Sequence, residues 1–101
     1  MTHVSRSRLK RILSAFPRTR VLVIGDLILD EFVWGEVSRI SPEAPIPVVE
    51  VTSRSTMPGG AANVVNNLCA LGARASVGGF VGTDSAGRNL CSLLAKEGAD
   101  T

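Results

Sequence analysis

The chain has 101 residues, of which 45% are hydrophobic, and its formal net charge at neutral pH is +2. This size suits one modest domain, and no apolar run reaches the roughly 18 residues that a membrane-spanning helix needs. A signal-peptide core is also missing. We therefore expect a cytoplasmic protein with no membrane partner.

The first 20 residues contain six basic residues and no acidic one, whereas the remainder has five basic residues and all nine acidic ones. A basic amino-terminal segment of this kind is compatible with nucleic-acid binding or with a transit peptide. However, apolar side chains recur at helical spacing, at Leu9, Ile12, Leu13 and Phe16. We favour an amphipathic helix over residues 5–16 with a solvated basic face, and we expect no nucleic-acid partner.

A continuous apolar run rich in β-branched residues, Val21–Ile24, predicts a strand in the middle of a parallel sheet with helices on both faces. Ligands of α/β proteins bind beyond the carboxyl ends of such strands, where Asp26 and Asp30 follow. Carboxylates there can accept hydrogen bonds from sugar or ribose hydroxyls. The alternative is that Asp26 caps a turn and Asp30 is solvated. A dinucleotide site is excluded, because no GxGxxG follows the strand.

Two short strands, 31–37 and 46–52, are predicted next, and the proline-rich segment 38–45 between them has no regular period. Together they predict a small β flap over residues 31–52, beside the ligand site. Such a flap can exclude water or offer an exposed edge for a homodimer. Arg39, the sole basic residue of the connecting segment, is a candidate to bind a phosphate, although a solvent-exposed or locally paired arginine is the commoner explanation.

The most informative stretch is Pro58 with the glycine pair Gly59 and Gly60, followed by a helix that carries Asn63. We interpret the pair as the point where a loop becomes a helix. Unpaired amides at a helix start suit a polar or anionic ligand, and the Asn63 side chain adds a donor and an acceptor. We expect the two aspartates and this glycine corner to face one another across a pocket that binds hydroxyls. Taken alone, two glycines indicate only a tight turn.

The rest of the chain predicts a second sheet strand over 74–81 and a last helix with Thr83, Asp84 or Ser85 as its N-cap. The order helix, strand, flap, helix, strand, helix is typical of the opening of a three-layer α/β/α domain. Cys69 and Cys91 lack metal-binding spacing, so we expect two buried, reduced thiols and no metal site.

Three strings in this order, Val21–Gly35, Ser38–Val49 and Pro58–Val64, resemble the amino-terminal part of the ribokinase-like (PfkB) carbohydrate kinases. The resemblance covers about residues 7–101. Within the family, the chain is most similar to the D-glycero-D-manno-heptose 7-phosphate kinases, which form one half of bifunctional kinase/adenylyltransferases. Many other sugar kinases have one residue more between the glycine pair and the asparagine, so the spacing favours a heptose kinase over a plain ribokinase.

The resemblance implies the amino-terminal portion of a ribokinase-like domain with a β flap as its lid. It assigns the sugar-contacting aspartate to Asp30 with Asp26 nearby, the hinge to Gly59 and Gly60, and the sugar-binding asparagine to Asn63. The sugar phosphate would be phosphorylated at its anomeric hydroxyl, towards ADP-heptose and lipopolysaccharide core synthesis.

The resemblance also implies what these residues lack. The family's catalytic base lies in a Gly-Ala-Gly-Asp-like stretch near the carboxyl end, beside most of the ATP site, and nothing in this chain matches it. We therefore assign no catalytic residue, we expect ATP and Mg²⁺ to serve only a longer parent kinase, and we expect the chain to be inactive alone. A kinase for another sugar or nucleoside, and a non-catalytic interaction module, are the alternatives.

Overall fold

A computed structural model describes residues 3–101, and its elements follow the predicted order. Within the described residues the α-helices are Arg6–Ala15 (α1), Ala61–Ala70 (α2) and Ser85–Lys96 (α3), with a short 3₁₀ turn at Phe16–Arg18. The strands in this part of the chain are Arg20–Ile24 (β1), Leu27–Ile40 (β2), Pro47–Gly60 (β3) and Arg74–Gly78 (β4). They form two two-stranded sheets.

The first sheet pairs β1 with β4 in parallel, as expected, in a register that runs from Arg20 opposite Arg74 to Ile24 opposite Gly78. Strand β4 ends at Gly78 and is shorter than the predicted 74–81. The next residue, Gly79, passes close to the connection between β1 and β2, where a Cβ on Gly79 would lie 2.8 Å from the Gly25 carbonyl oxygen.

Helices α2 and α3 supply most of a small apolar core. Its buried members follow the helical spacings i, i+3 and i, i+4, and one residue of β4 completes it: Ala62, Val65, Ala75, Leu90 and Leu94. The predicted N-cap of α3 is confirmed, since Asp84 Oδ1 accepts a hydrogen bond from the Gly87 amide at 2.9 Å.

Helices α2 and α3 cover one face of the parallel sheet. Val21 and Val23 point towards this face and are half-buried, whereas Leu22 and Ile24, on the opposite face, are 64% and 76% exposed. We expected helices on both faces, but among residues 3–101 the second face stays exposed. A local pattern of apolar residues does not specify which element covers a sheet face.

The amino-terminal helix forms almost where it was predicted, with Ser5 as its N-cap. However, no residue of α1 is buried, and its apolar stripe, which includes Leu9, Ile12 and Leu13, is about half exposed. The amphipathic pattern thus predicted the helix but not a packed partner. None of the helices in the described part of the chain is long and apolar enough to cross a membrane.

The flap is an antiparallel hairpin of β2 and β3, and it is longer than the predicted 31–52. Pairing runs from Leu27 opposite Gly60 to Ile40 opposite Pro47. The predicted ends of the flap were wrong because residues 58–60, whose composition is typical of a turn, have an extended backbone and pair with β2. Side chains are partly buried mainly where the hairpin leaves the core; we call this end, residues 27–30 with 57–60, the flap root.

One cysteine differs from expectation. Cys69 is half-buried against the core, but Cys91 is exposed. It lies on α3 between Leu90 and Leu94, which face inward, so the helix turns it towards solvent.

Candidate functional site

The glycine pair lies at a direct passage from strand to helix, with no loop between. Gly60 ends β3, and its φ of +55° lies in the left-handed region that favours glycine. A Cβ on Gly60 would lie 2.6 Å from the Asp26 carbonyl oxygen, and that oxygen accepts a hydrogen bond from the Ala61 amide at 2.8 Å. Gly60 therefore joins the end of β1 to the start of α2 in a way that a larger residue would prevent.

The Asp30 carboxylate rests on the other glycine of the pair. Asp30 pairs with Met57 and Ile28 pairs with Gly59, so Asp30 and Gly59 are diagonal neighbours on the same face of the hairpin. A Cβ on Gly59 would collide with Asp30 Oδ2 and lie 2.8 Å from its Cγ. The missing side chain thus creates the space that the carboxylate occupies.

This contact brings the two predicted parts of the site together. We expected the acids and the glycine corner to face each other across a pocket, and the structure instead places Asp30 against Gly59, while Asp26 reaches the corner through its backbone. Both aspartates are exposed. Gly59 is buried against the carboxylate and Gly60 is exposed, so a ligand that approaches from solvent meets Asp30 and Gly60.

Asn63 lies in the first turn of α2 and is exposed. Sequence reasoning missed its neighbour Asn67, whose Nδ2 donates to the Asn63 carbonyl oxygen at 2.9 Å and lies 3.4 Å from Asn63 Oδ1. The signal was available, because two asparagines four residues apart on a predicted helix share a face.

The structure does not bring Arg39 to this corner. Arg39 pairs with Val48 close to the turn of the hairpin, nine residues along β2 from Asp30. At about 3.3 Å per residue that separation is roughly 30 Å. A phosphate contact by Arg39 therefore remains a prediction that the geometry of a single chain does not favour.

Aromatic side chains continue the face of the flap on which Asp30 lies. Phe32 and Trp34 follow at alternate positions, their rings stack with centroids 6.4 Å apart, and Trp34 Nε1 donates to Ser55 Oγ at 3.3 Å. Both rings remain exposed. The carboxylate thus adjoins an apolar surface.

Glu31, the acidic residue next to Asp30, forms an ion pair away from the glycine corner. Glu31 points to the opposite face of the hairpin, where its Oε1 accepts a hydrogen bond from Arg54 Nη1 at 2.7 Å. Of the two adjacent acids, Asp30 is therefore the one directed at the glycine corner.

A separate cleft of about 360 Å³ lies between the flap root and the start of α3. Its lining includes Leu27, Leu29, Phe80 and Leu90, but neither Asp30 nor Asn63. Its carboxylate, Asp84, already caps α3 by accepting a hydrogen bond from the Gly87 amide. The glycine corner, with the Asp30 carboxylate beside it, is therefore the better candidate for a polar ligand.

Comparison with known proteins identifies the family. Residues 18–101 match the family described as pfkB family carbohydrate kinase. The chain belongs to this family. The match includes β1, the whole flap and the glycine corner, so the site described above lies within the shared region.

The similar curated proteins carry the name "Bifunctional protein HldE". This pfkB-family chain is 54% identical to the one from Magnetococcus marinus and 56% identical to the one from Desulfatibacillum aliphaticivorans, each over 88 residues, which are 87% of this chain and 18% of the relative. It is 53% identical to the one from Rhodopseudomonas palustris strain BisB5 over 91 residues, 90% of this chain and 19% of the relative. The chain thus spans about a fifth of the length of these relatives.

A solved structure shares the fold. The ribokinase of Cryptococcus neoformans, crystallised in complex with ADP, superposes with a TM-score of 0.58 at 25% sequence identity. The superposition covers 82% of this chain and 25% of the ribokinase chain. The described residues therefore form an amino-terminal part of a ribokinase-like fold with its β flap.

Proposed function

We propose that this chain is the sugar-binding part of an ATP-dependent carbohydrate kinase that phosphorylates D-glycero-D-manno-heptose 7-phosphate at its anomeric hydroxyl, towards ADP-heptose and lipopolysaccharide core synthesis. Asp30 accepts hydrogen bonds from the sugar hydroxyls, Gly59 and Gly60 form the corner against which the sugar lies, and Asn63 adds an amide. No residue of the chain is assigned to catalysis.

The observation that carries the proposal is the contact between the Asp30 carboxylate and the Gly59 backbone. An ionised carboxylate accepts hydrogen bonds and donates none, and sugars offer many O–H donors. Hydrogen bonds to a charged acceptor are the stronger kind, and Gly59 has no side chain that would displace the carboxylate from this position. The corner therefore suits a polyol.

The choice of heptose 7-phosphate rests on similarity. The HldE proteins are 51–56% identical to this chain, and Asn63 follows the glycine pair at the shorter spacing that resembles heptose kinases. A kinase for another sugar or nucleoside of the family would use the same aspartate and glycine pair, so ligand screening has to separate these substrates.

ATP and Mg²⁺ are implied by the family, and these residues are proposed to supply the sugar side of the site rather than the nucleotide side. Among residues 3–101, no group of three or more His, Cys, Asp or Glu side chains is placed to hold a metal ion. No phosphoryl-transfer step is assigned to these residues, and we expect no ATP-dependent turnover from this chain alone. A coupled ADP-release assay with heptose 7-phosphate tests this, and clear turnover would contradict it.

Calorimetric titration of the purified chain tests the sugar site. We expect heat of binding with heptose 7-phosphate, and weaker binding with ribose and fructose. Equal or tighter binding of ribose would favour the alternative kinase, whereas no binding of any of the three sugars would contradict a sugar site in this chain.

A homodimer formed through the flap is a second proposal, favoured by the large apolar side chains that the hairpin exposes, among them Phe32, Trp34 and Val37. Light scattering of the wild type should give the mass of a dimer, and Trp34→Ala should reduce it. Leu22→Ala is the control, because Leu22 is similarly exposed but lies on the parallel sheet. A monomeric wild type, or equal effects of both substitutions, would contradict association through the flap.

A further inference from the structure

Helix α2 carries two asparagines one turn apart, and the first of them, Asn63, lies in the turn that follows the glycine pair. We propose that Asn67 is a positioning residue for sugar binding, which holds the Asn63 side chain so that Asn63 Nδ2 donates to the ligand. The inference rests on the proposed function, in which Asn63 contacts the sugar. Its evidence is the contact of Asn67 Nδ2 with two oxygens of Asn63, the main-chain oxygen at 2.9 Å and Oδ1 at 3.4 Å.

Hydrogen-bond chemistry determines the orientation of both amides. A main-chain carbonyl oxygen only accepts, so the Asn67 atom 2.9 Å from it has to be the nitrogen. If the Asn63 amide were turned over, this nitrogen would face a second donor. The Asn63 atom facing Asn67 is therefore Oδ1, and Asn63 Nδ2, with both of its hydrogens, points away from Asn67.

In this orientation one side chain of the corner accepts hydrogen bonds and another donates them. The ionised Asp30 carboxylate can only accept, and Asn63 Nδ2 can only donate. A sugar hydroxyl does both. The ligand is then a polyol that gives an O–H to Asp30 and offers an oxygen lone pair to Asn63, whereas a group that only donates would satisfy Asp30 alone.

Holding Asn63 in advance also limits the loss of side-chain freedom when the sugar binds. A side chain that becomes fixed only on binding loses rotamer freedom at that moment, which weakens binding, and a preorganised side chain avoids much of this loss. Asn67 is well placed to do so, because it lies on the same rigid helix as Asn63 and reaches it without spanning a loop.

Three substitutions in the 101-residue chain test the inference by titration with heptose 7-phosphate. Asn67→Ala frees the Asn63 amide, and we expect affinity to fall about 3- to 10-fold. Asn67→Asp offers a carboxylate that accepts from Asn63 Nδ2, so the amide turns and presents an acceptor to the sugar; we expect a loss of about 10- to 100-fold. Asn66→Ala, the neighbouring asparagine on another face of α2, should retain the wild-type affinity.

Two further measurements separate positioning from folding. Alanine has a higher helix propensity than asparagine, so Asn67→Ala should keep or raise the melting temperature while it weakens binding. In the NMR spectrum of the ligand-free protein, Asn67→Asp should move the Asn63 side-chain amide signals downfield, because they then donate to a carboxylate. Asn66→Ala should leave these signals in place.

Unchanged affinity in both Asn67 variants would overturn the inference. If the wild type binds no sugar, the proposed function fails, and the amide signals then decide the positioning alone. A downfield shift of the Asn63 signals in Asn67→Asp supports it, and unmoved signals overturn it.

Discussion

The flap and the body of this chain are stabilised in different ways. The body, made of the parallel sheet with α2 and α3, contains the buried core residues. The flap is a hairpin with two 14-residue strands whose side chains are mostly exposed beyond its root, so cross-strand pairing replaces burial there. Asp30, Gly59 and Gly60 lie where the two meet, at the flap root. The candidate site thus lies between a region that is stabilised by side-chain packing and a hairpin that is stabilised mainly by pairing between its two strands.

The largest expected effect distinguishes the two regions by stability. Leu94→Ala removes a nearly fully buried side chain and should lower the free energy of unfolding by about 2–5 kcal/mol. Val33→Ala, on an exposed position of the flap, should lower it by less than about 1 kcal/mol. Urea denaturation followed by circular dichroism measures both, and similar losses would contradict the contrast between body and flap.

The junction itself is tested by adding one methyl group. Gly59→Ala places a Cβ on the Asp30 carboxylate and displaces it, so sugar affinity should fall roughly 10- to 100-fold, the equivalent of one charge-assisted hydrogen bond. Gly78→Ala is the matched control, because a Cβ there meets nothing closer than Ile24 Cγ1 at 3.8 Å. Calorimetric titration that found the two variants alike would show that the contact between Asp30 and Gly59 does not matter for the ligand.

A smaller effect is expected when only the charge of Asp30 is removed. Asp30→Asn keeps one acceptor oxygen but loses the charge, so affinity should fall roughly 5- to 20-fold while the melting temperature hardly changes. Glu31→Gln, on the opposite face of the hairpin, should bind like the wild type. The assignment of Asp30 would be wrong if Glu31→Gln weakened binding and Asp30→Asn did not.

The smallest effect concerns the ion pair within the flap. Both partners are exposed, with side-chain exposures of 62% for Arg54 and 50% for Glu31, so solvent screens their attraction. Arg54→Ala should cost less than about 1 kcal/mol, and the difference from wild type should shrink in high salt. A large loss that is insensitive to salt would mean that the flap has a packed interior.

Local patterns were sufficient for the order of the elements. The apolar run of Val21–Ile24 predicted β1, and Asp84 was a correct N-cap candidate for the last helix. Each of these depends on residues close together in the chain. The glycine pair marked the strand-to-helix corner for a local reason, since the φ of +55° at Gly60 favours glycine. That a sugar binds at this corner stays a prediction.

Non-local pairing explains what was missed. Residues 58–60 have the composition of a turn, yet they extend β3 because Leu27–Leu29 lies opposite them. Likewise, nothing local to Leu22 or Leu9 shows whether another element covers it. The distance of Arg39 from the corner follows from the length of the hairpin, which only the strand register reveals.

The central claim is that a sugar binds where Asp30 meets Gly59. NMR titration of the ¹⁵N-labelled chain with heptose 7-phosphate tests it most directly. The account predicts that the backbone amide signals of Asp30, Gly59, Gly60 and Asn63 shift together and saturate, while those of the flap turn at 41–46 stay in place. Shifts centred on Phe80 and the apolar cleft, with the glycine corner unmoved, would contradict it.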